Sequence, residues 1–549
     1  MPSPQILDGG PLKAPPRTSR YAEWRDQTVV DILKGELLAD RDRALLIDAD
    51  FELTVGELHS QSERLAKWMA GRGVGVGDVV SYQLPNWWEV LVIDTAIAMI
   101  GAVANPILMI YRDAEVEFIL RDACSKLIFI AESFRSARNL EMMMRLRPRV
   151  PGLLDVVLVR GAGELEYSAI VASQTGPFHA VSLSADAPRL LMYTSGTTGR
   201  AKGVIHSHNT LDSEINTAAR IWGLGRGSIM LMPSPLAHIT GYLYGMGFPT
   251  IVGMTTILME TWDATRAADL IERHSVNAMV AATPFLKELT DEAQVARRRL
   301  PSLRIFACGG APVPPELVRR ATAALENCNV FRVYGSTEAP TITLGAAVRG
   351  SDVAAETDGY VVGHDVKVVD EAGQPQGPEI EGEILTRGPE LMIGYRRTED
   401  DADAFDAEGY FRTGDLGILR ADGALVITGR RKDLIIRGGE NISAKELEDA
   451  LYEHGAIAEV AIVSMPHDRL GEGVCCFAVL ASGHSISLAD MVAYLDRRGF
   501  ARQKFPERLE IVAALPRTAS GKVQKFVLRS QIADAIQRER LATGAIGTT

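Results

Sequence analysis

The sequence predicts an α/β protein. A large N-terminal domain of stacked α/β sheets ends in a β-rich subdomain, and a small α+β C-terminal domain follows. Three observations predict this. The chain has 549 residues, more than one hydrophobic core can organise, so two or more domains are expected. Short apolar runs alternate with amphipathic segments as far as about residue 360. Beyond that point strand-like pieces follow one another through turns, and after residue 430 helical and strand patterns mix again.

The elements can be justified in order. The opening MPSPQILDGGPLKAPPRTSRY is rich in Pro and Gly and lacks an apolar core, so it does not read as a signal peptide. The most apolar run, VLVIDTAIAMIGAVANPILMI over 90–110, is interrupted by Asp94 and by Asn105-Pro106. It reads as a buried helix followed by a strand, because a membrane span needs about 20 uninterrupted apolar residues. SKLIFIAES (125–133), NAMVAAT (277–283), LRIFACGG (303–310) and NVFRVYGS (329–336) are short, apolar and end in Gly, Ser or Thr. Buried strands of an α/β sheet have that form, with functional loops at their C-terminal ends. VKVVDEAGQP (366–375), EILTRGP (383–389), YFRTGDLG (410–417) and ALVITGR (424–430) read as a β-rich unit. After RRKDLIIRGGENIS (430–443) come a helix over 444–454, strands over 458–464 and 474–481, a helix over 487–498 and a basic end. The domains are therefore expected to be 1–430 and 431–549.

Composition narrows the partners. A formal net charge of −12 argues against nucleic acid, while leaving room for a local cationic phosphate site. The five cysteines, Cys124, Cys308, Cys328, Cys475 and Cys476, form no CxxC pair, so neither a zinc site nor a disulfide framework is expected and a reducing cytoplasm fits. The final AIGTT carries no peroxisomal or prenylation address. Monomer and homodimer both remain open.

The chemistry starts at MYTSGTTGRAKGVIHSH, 192–208, which reads as neither a packed helix nor a half-buried strand. Gly196 and Gly199 leave backbone N–H groups free to approach an anion. The hydroxyls of Thr194, Ser195, Thr197 and Thr198 add donors, and Lys202 adds a point charge. The fitting ligand is a polyphosphate. The order G-x-x-x-x-G-K-[ST] is absent here and at Gly521-Lys522, so this is not a Walker A loop.

Further strings follow in order: PLAHITG (235–241), GGAPVP (309–314), YGSTEA (334–339), YFRTGDLG, RRKDLIIRGGENIS and PRTASGKVQK (516–525). With the first they give the chain, from about residue 25 to 530, a resemblance to the adenylate-forming superfamily of acyl-CoA synthetases, peptide-synthetase adenylation domains and luciferases. The resemblance implies that ATP and a carboxylate give an acyl-adenylate and pyrophosphate, and that a thiol then takes the acyl group. It implies that Thr194–Lys202 hold the β- and γ-phosphates, that Thr337 bonds the α-phosphate and that Glu338 binds Mg²⁺. Tyr334 and Gly335, with Gly309, Gly310 and Ala311, would meet the adenine, and Asp415 and Arg430 the ribose. Lys522 would be the catalytic lysine, favouring charge build-up on the α-phosphate. His238 would border the acyl pocket, Lys432 would be the hinge of a mobile C-terminal domain, and Gly438, Gly439 and Glu440 would face CoA.

No carrier domain follows Lys525 within this sequence, and the strings are most similar to those of free-standing acyl-CoA synthetases. YQLPNWWEV, AATPFLKEL and AETDGYVVGHDVKVVD are similar to the medium-chain fatty acid and cyclohexanecarboxylate CoA-ligase group. Independently, ITGYLYGMGFPTIVG (239–253) is apolar, with Gly241, Gly245 and Gly247 reducing bulk. It offers no counter-charge for an ammonium, and neither does YGSTEAPTITLG beyond Glu338. An apolar monocarboxylate is the expected substrate. Three alternatives share parts of the pattern: a ligase loading an acyl carrier protein, a luciferase-like oxidase, and a non-catalytic ATP binder.

Overall fold

The computed structural model describes residues 21–163, 165–194, 200–345, 348–438, 440–517 and 522–546. Two seven-stranded sheets carry the first two-thirds of the chain. One runs in space through Asn329–Val333, Ile305–Gly309, Ala278–Ala281, Ile229–Met232, Thr255–Leu258, Ala44–Asp48 and Phe51–Thr54. Its neighbours are parallel except for the last pair. The other runs through Gly394–Tyr395, Lys202–Ser207, Pro188–Thr194, Val103–Pro106, Val79–Gln83, Leu127–Ala131 and Asp155–Val159. Its last five strands are parallel and its first three antiparallel. One apolar core joins the sheets, with Met230 and Phe331 of the first and Val80 and Leu190 of the second in the same cluster.

The run 90–110 is a helix, Glu89–Met99, buried along its whole length, followed by the strand Val103–Pro106. All-round burial explains why it reads apolar without a polar face. The run 192–208 differs from expectation at both flanks. Met192 and Tyr193 end one buried strand, and Lys202–Ser207 form another that pairs antiparallel with it, Lys202 opposite Thr194. The small-residue centre of the run, 195–199, lies outside the described residues. Its flanks are apolar and lie within the second sheet.

A further difference concerns Gly241–Val252, which forms a π-type helix with Pro249 inside it. A Cβ on Gly241 would stand 2.1 Å from the Pro235 carbonyl oxygen, and one on Gly245 or Gly247 would meet Leu236 or Ile215 at 2.7 or 2.3 Å. The missing side chains are thus filled by neighbouring protein and do not open acyl space, because these glycines let the wide helix press against the loop before it and against the helix His208–Trp222.

The β-rich unit is a four-stranded antiparallel sheet, Asp365–Val369, Glu381–Arg387, Phe411–Leu419 and Leu425–Arg430. A separate five-stranded sheet follows, built on the long hairpin Ile457–His467 and Gly471–Leu480, with its own cores on both faces. Cys475 and Cys476 belong to those cores, and all five cysteines are free. Among the described residues no helix is long and apolar enough to cross a membrane.

Candidate active site

The antiparallel pairing of Phe411–Leu419 with Leu425–Arg430 sets Asp415 opposite Arg430. The guanidinium meets one carboxylate oxygen at 2.9 Å, and the Tyr334 hydroxyl donates to the other at 2.7 Å. Asp415 is 5% exposed. The charge of Asp415 raises the Arg430 pKa, and burial, then Asp415, pushes the Tyr334 phenol well above its usual range. A carboxylate has about four lone-pair sites, so Asp415 keeps capacity for two further donors.

Lys522 reaches this pair from far along the chain. Its Cε lies 3.9 Å from where a side chain on Gly310 would begin, a backbone position with φ +80°. Burial lowers its ammonium pKa to about 8, with Arg430 and Lys432 lowering it further and Asp415 and Glu338 opposing. His238 is pushed to about 3, first by burial and then by Lys522. Lys522, His238, Gly310, Glu338, Asp415, Arg430 and Lys432 therefore share one electrostatic neighbourhood.

The third part is the end of the phosphate loop. Ser195, Gly196, Thr197, Thr198 and Gly199 lie outside the described residues. Thr194 and Lys202 close the loop as strand partners. Lys202 Nζ stands 4.7 Å over the Tyr395 ring, and the Tyr395 hydroxyl donates to Glu338 at 3.0 Å. The backbone around Glu338 is fixed twice, by Met392 N–H donating to the Glu338 carbonyl at 2.8 Å and by His206 Nε2 donating to the Thr337 carbonyl at 2.7 Å. Gly335 is required by its turn, since a Cβ there would stand 1.9 Å from the Pro340 oxygen. A Cβ on Gly309 would stand 2.6 Å from the Val333 oxygen, and Ala311 follows Gly310 out of the strand. Among the described residues no group of three metal-ligating side chains exists. Glu338 is bonded to Tyr395, whose ring lies under Lys202, and one carboxylate from this loop suits Mg²⁺ bound chiefly through phosphates and water.

The proposed CoA turn is not joined to this cluster. Gly438, at φ +61°, donates to the Leu470 carbonyl, and Glu440 pairs with Arg437 across a hairpin. Gly439 lies outside the described residues. Lys432 sits on the 3-10 turn Arg431–Asp433, whose Asp433 is paired with Arg529 at 2.9 Å.

Several residues were not anticipated. Asn86 donates to the carbonyls of Ser234 and Met259 and accepts from Leu236 N–H, setting the chain that leads to His238. Glu214 accepts from the Tyr244 hydroxyl at 2.5 Å, and that hydroxyl meets Thr341 at 2.6 Å. The segments read as free of further acid, 239–253 and 334–345, thus converge on a carboxyl supplied by the helix His208–Trp222. Burial, then Glu390, raises its pKa to about 8. A signal existed: Glu214 stands beside the stripe Leu211, Ile215, Ala218 and Trp222, on the buried side of the helix. Arg200, Tyr395 and Asp400 were also missed.

Comparison with known proteins bears on this arrangement. A family model described as AMP-binding enzyme matches residues 37–396, and one described as AMP-binding enzyme C-terminal domain matches residues 446–522. The medium-chain fatty-acid–CoA ligase of Escherichia coli (strain K12) is 36% identical over 521 residues, covering 93% of this chain and 91% of that protein. The salicyl-AMP ligase / salicyl-S-ArCP synthetase of Mycobacterium tuberculosis (strain ATCC 25618 / H37Rv) is 31% identical, covering 96% and 93%. The crystal structure of ATP-bound MatB from Rhodopseudomonas palustris superposes with a TM-score of 0.85 at 27% identity, covering 93% of this chain and 99% of that one.

Proposed function

The chain belongs to the AMP-binding enzyme family of AMP-forming acid–thiol ligases, and from that premise we propose that it joins an apolar monocarboxylic acid, medium-chain or alicyclic, to coenzyme A. In the first step a carboxylate oxygen attacks the α-phosphorus of ATP, the bond to the bridging oxygen breaks, and pyrophosphate leaves. In the second the CoA thiol attacks the acyl carbon, AMP leaves, and the thiol proton passes to solvent.

The observation that carries the reading is the position of Lys522 beside Gly310, His238, Asp415 and Arg430. An ammonium there would bridge carboxylate and α-phosphate oxygens as negative charge builds, stabilising the transition state more than the ground state. Asp415, already oriented by Tyr334 and Arg430, would take the ribose hydroxyls. Tyr334, Gly309, Gly310 and Ala311 would bound the adenine. Thr337 would bond the α-phosphate, and Lys202 with the loop before it the β- and γ-phosphates. Glu338 would hold Mg²⁺, which would supply positive charge between the phosphates.

Two domains, 1–430 and 431–549, with Lys432 as pivot, fit a two-step reaction at one site. The family matches stop at 396 and resume at 446, and the four-stranded sheet ends at Arg430 just before the five-stranded sheet begins at Ile435. Both facts support the boundary. Rotation would replace Lys522 with the turn Gly438-Gly439-Glu440 along the pantetheine path. Burial, then Glu390, favours the neutral form of Glu214, which is compatible with an uncharged acyl chain. The medium-chain relative supports the same class.

The test is a competition assay. The protein is mixed with Mg-ATP, CoA and equimolar cyclohexanecarboxylate, benzoate, butyrate, octanoate and palmitate, and thioesters are identified by mass. The expected result is one dominant thioester, from octanoate or cyclohexanecarboxylate. Acid-dependent adenylate without any thioester would replace CoA with a carrier protein, the reaction that the name of the salicyl-AMP relative describes.

A further inference from the structure

The segment Gly394–Asp401 touches the charges of the phosphate site at two points. Arg200 Nη2 donates to both oxygens of Asp400, at 2.9 and 3.0 Å, and Lys202 Nζ stands 3.8 Å from the nearer oxygen. The Asp400 side chain is 11% exposed, while Arg200 and Lys202 keep 36% and 25%. At the other end of the segment, the Tyr395 hydroxyl donates to Glu338 and its ring lies under Lys202. The neighbouring carboxyl of Asp401 is engaged with Tyr395 N–H at 2.9 Å, which fixes the bend between the two contacts. One stretch of chain therefore places an anion against the loop cations and a donor on the carboxylate next to them. That is the charge pattern of a metal-bound polyphosphate.

We propose that Asp400 is an internal competitor for the β- and γ-phosphates, orienting Arg200 and Lys202 and then ceding Lys202, so that it weakens the hold on ATP and pyrophosphate alike and speeds pyrophosphate release. This rests on the assignment of Lys202 to the phosphates given above. The two cations differ in how they are shared. Arg200 makes two charge-assisted hydrogen bonds to Asp400 and stays with it. Lys202, at 3.8 Å, is in Coulombic but not hydrogen-bond contact, so it can turn to a phosphate oxygen without breaking a bond. Asp400 is a positioning residue in this scheme and touches no reacting atom.

Calorimetric titration of the full chain with Mg-pyrophosphate, Mg-ATP and AMP tests the idea and needs neither acid nor thiol. Asp400→Asn removes the competing charge at nearly constant shape. It is expected to tighten Mg-pyrophosphate and Mg-ATP about three- to fivefold, the size of one partly exposed ion pair, and to leave AMP unchanged. Arg200→Gln frees Asp400 for Lys202 and is expected to weaken both polyphosphates, again sparing AMP. Opposite signs in the two variants support the competitor role. Weaker polyphosphate binding in both would show that Asp400 only orients the cations, and no change in Asp400→Asn would equally overturn the proposal. If Asp400→Asn also loses AMP, its fold has changed, and Asp400→Ser takes its place beside Arg200→Gln under the same criterion of opposite signs. Failure of wild-type Mg-ATP binding would instead remove the nucleotide reading, whereas failure to ligate any acid would leave this test intact.

Discussion

In the proposed reaction Lys522 is the catalytic side chain, and its environment sets when it would work. Its pKa is lowered from 10.5 to about 8, so the ammonium is present below that pH and is lost as pH rises through it. The adenylation rate, read as kcat/KM for ATP and so reporting the free enzyme, should fall above about pH 8. Lys522→Arg should move that limb out of range, since a guanidinium does not titrate there, while lowering the rate because its fork has a different reach. Lys522→Ala should reduce pyrophosphate exchange by about a hundredfold or more, yet spare thioester formation from a supplied acyl-adenylate. Equal loss in both half-reactions would remove the lysine from its assigned step. His238, held neutral from about pH 3 upward, should contribute no limb near 6.5, so His238→Phe should leave the shape of the pH profile intact.

At the scale of elements, the helix His208–Trp222 and the π-type helix Gly241–Val252 meet through Glu214 and Tyr244 beneath the loop that bears Thr337 and Glu338. Tyr244, Thr341 and Glu390 face that carboxyl, and His364 stands beyond Glu390 at 2.8 Å. Its folded pKa is raised from 4.5 to about 8. The proton is bound more tightly in the folded state, so stability should decline as pH rises from about 4.5 to about 8 and level off above. Glu214→Gln should flatten that decline, as followed by thermal unfolding across the range. Gly241→Ala should destabilise by about 1–3 kcal/mol, because its Cβ would overlap the Pro235 carbonyl, and chemical denaturation would measure it. These two features also mark what the sequence could not disclose. Buried strands such as Leu127–Ala131 were legible because burial on both faces demands continuous apolar residues. By contrast, Tyr395–Glu338 and Arg200–Asp400 join residues 57 and 200 positions apart, and local spacing contains nothing of such pairs. The π-type helix was illegible for another reason, since its apolar run has no period of 3.6 to betray it.

At the scale of the molecule, the proposed reaction has one site serve two steps that would need different groups beside the acyl carbon. The structure holds Lys522 near Asp415, Arg430 and Glu338, the arrangement that the adenylation step proposed above would use. The turn at Gly438 meanwhile contacts Leu470 within the five-stranded sheet. The joint between the two lies at Arg431–Asp433. Arg430, just before it, is fixed to Asp415, and Asp433, its last residue, is fixed to Arg529 on the helix that begins at Lys525. Both flanks are tied to their own sides, so the proposed rotation would be absorbed by the backbone between them, at Lys432. A proline there fixes φ near −65° and restricts that torsion. Lys432→Pro should therefore keep pyrophosphate exchange near the wild-type rate while lowering thioester formation by at least about tenfold, because only the second step needs the other arrangement. Lys432→Ala, which removes the charge and leaves the torsion free, should retain both. If the proline variant lost both steps together, or if the alanine variant matched it, the pivot would lie elsewhere in the joint and the two-arrangement account of this enzyme would need a different axis.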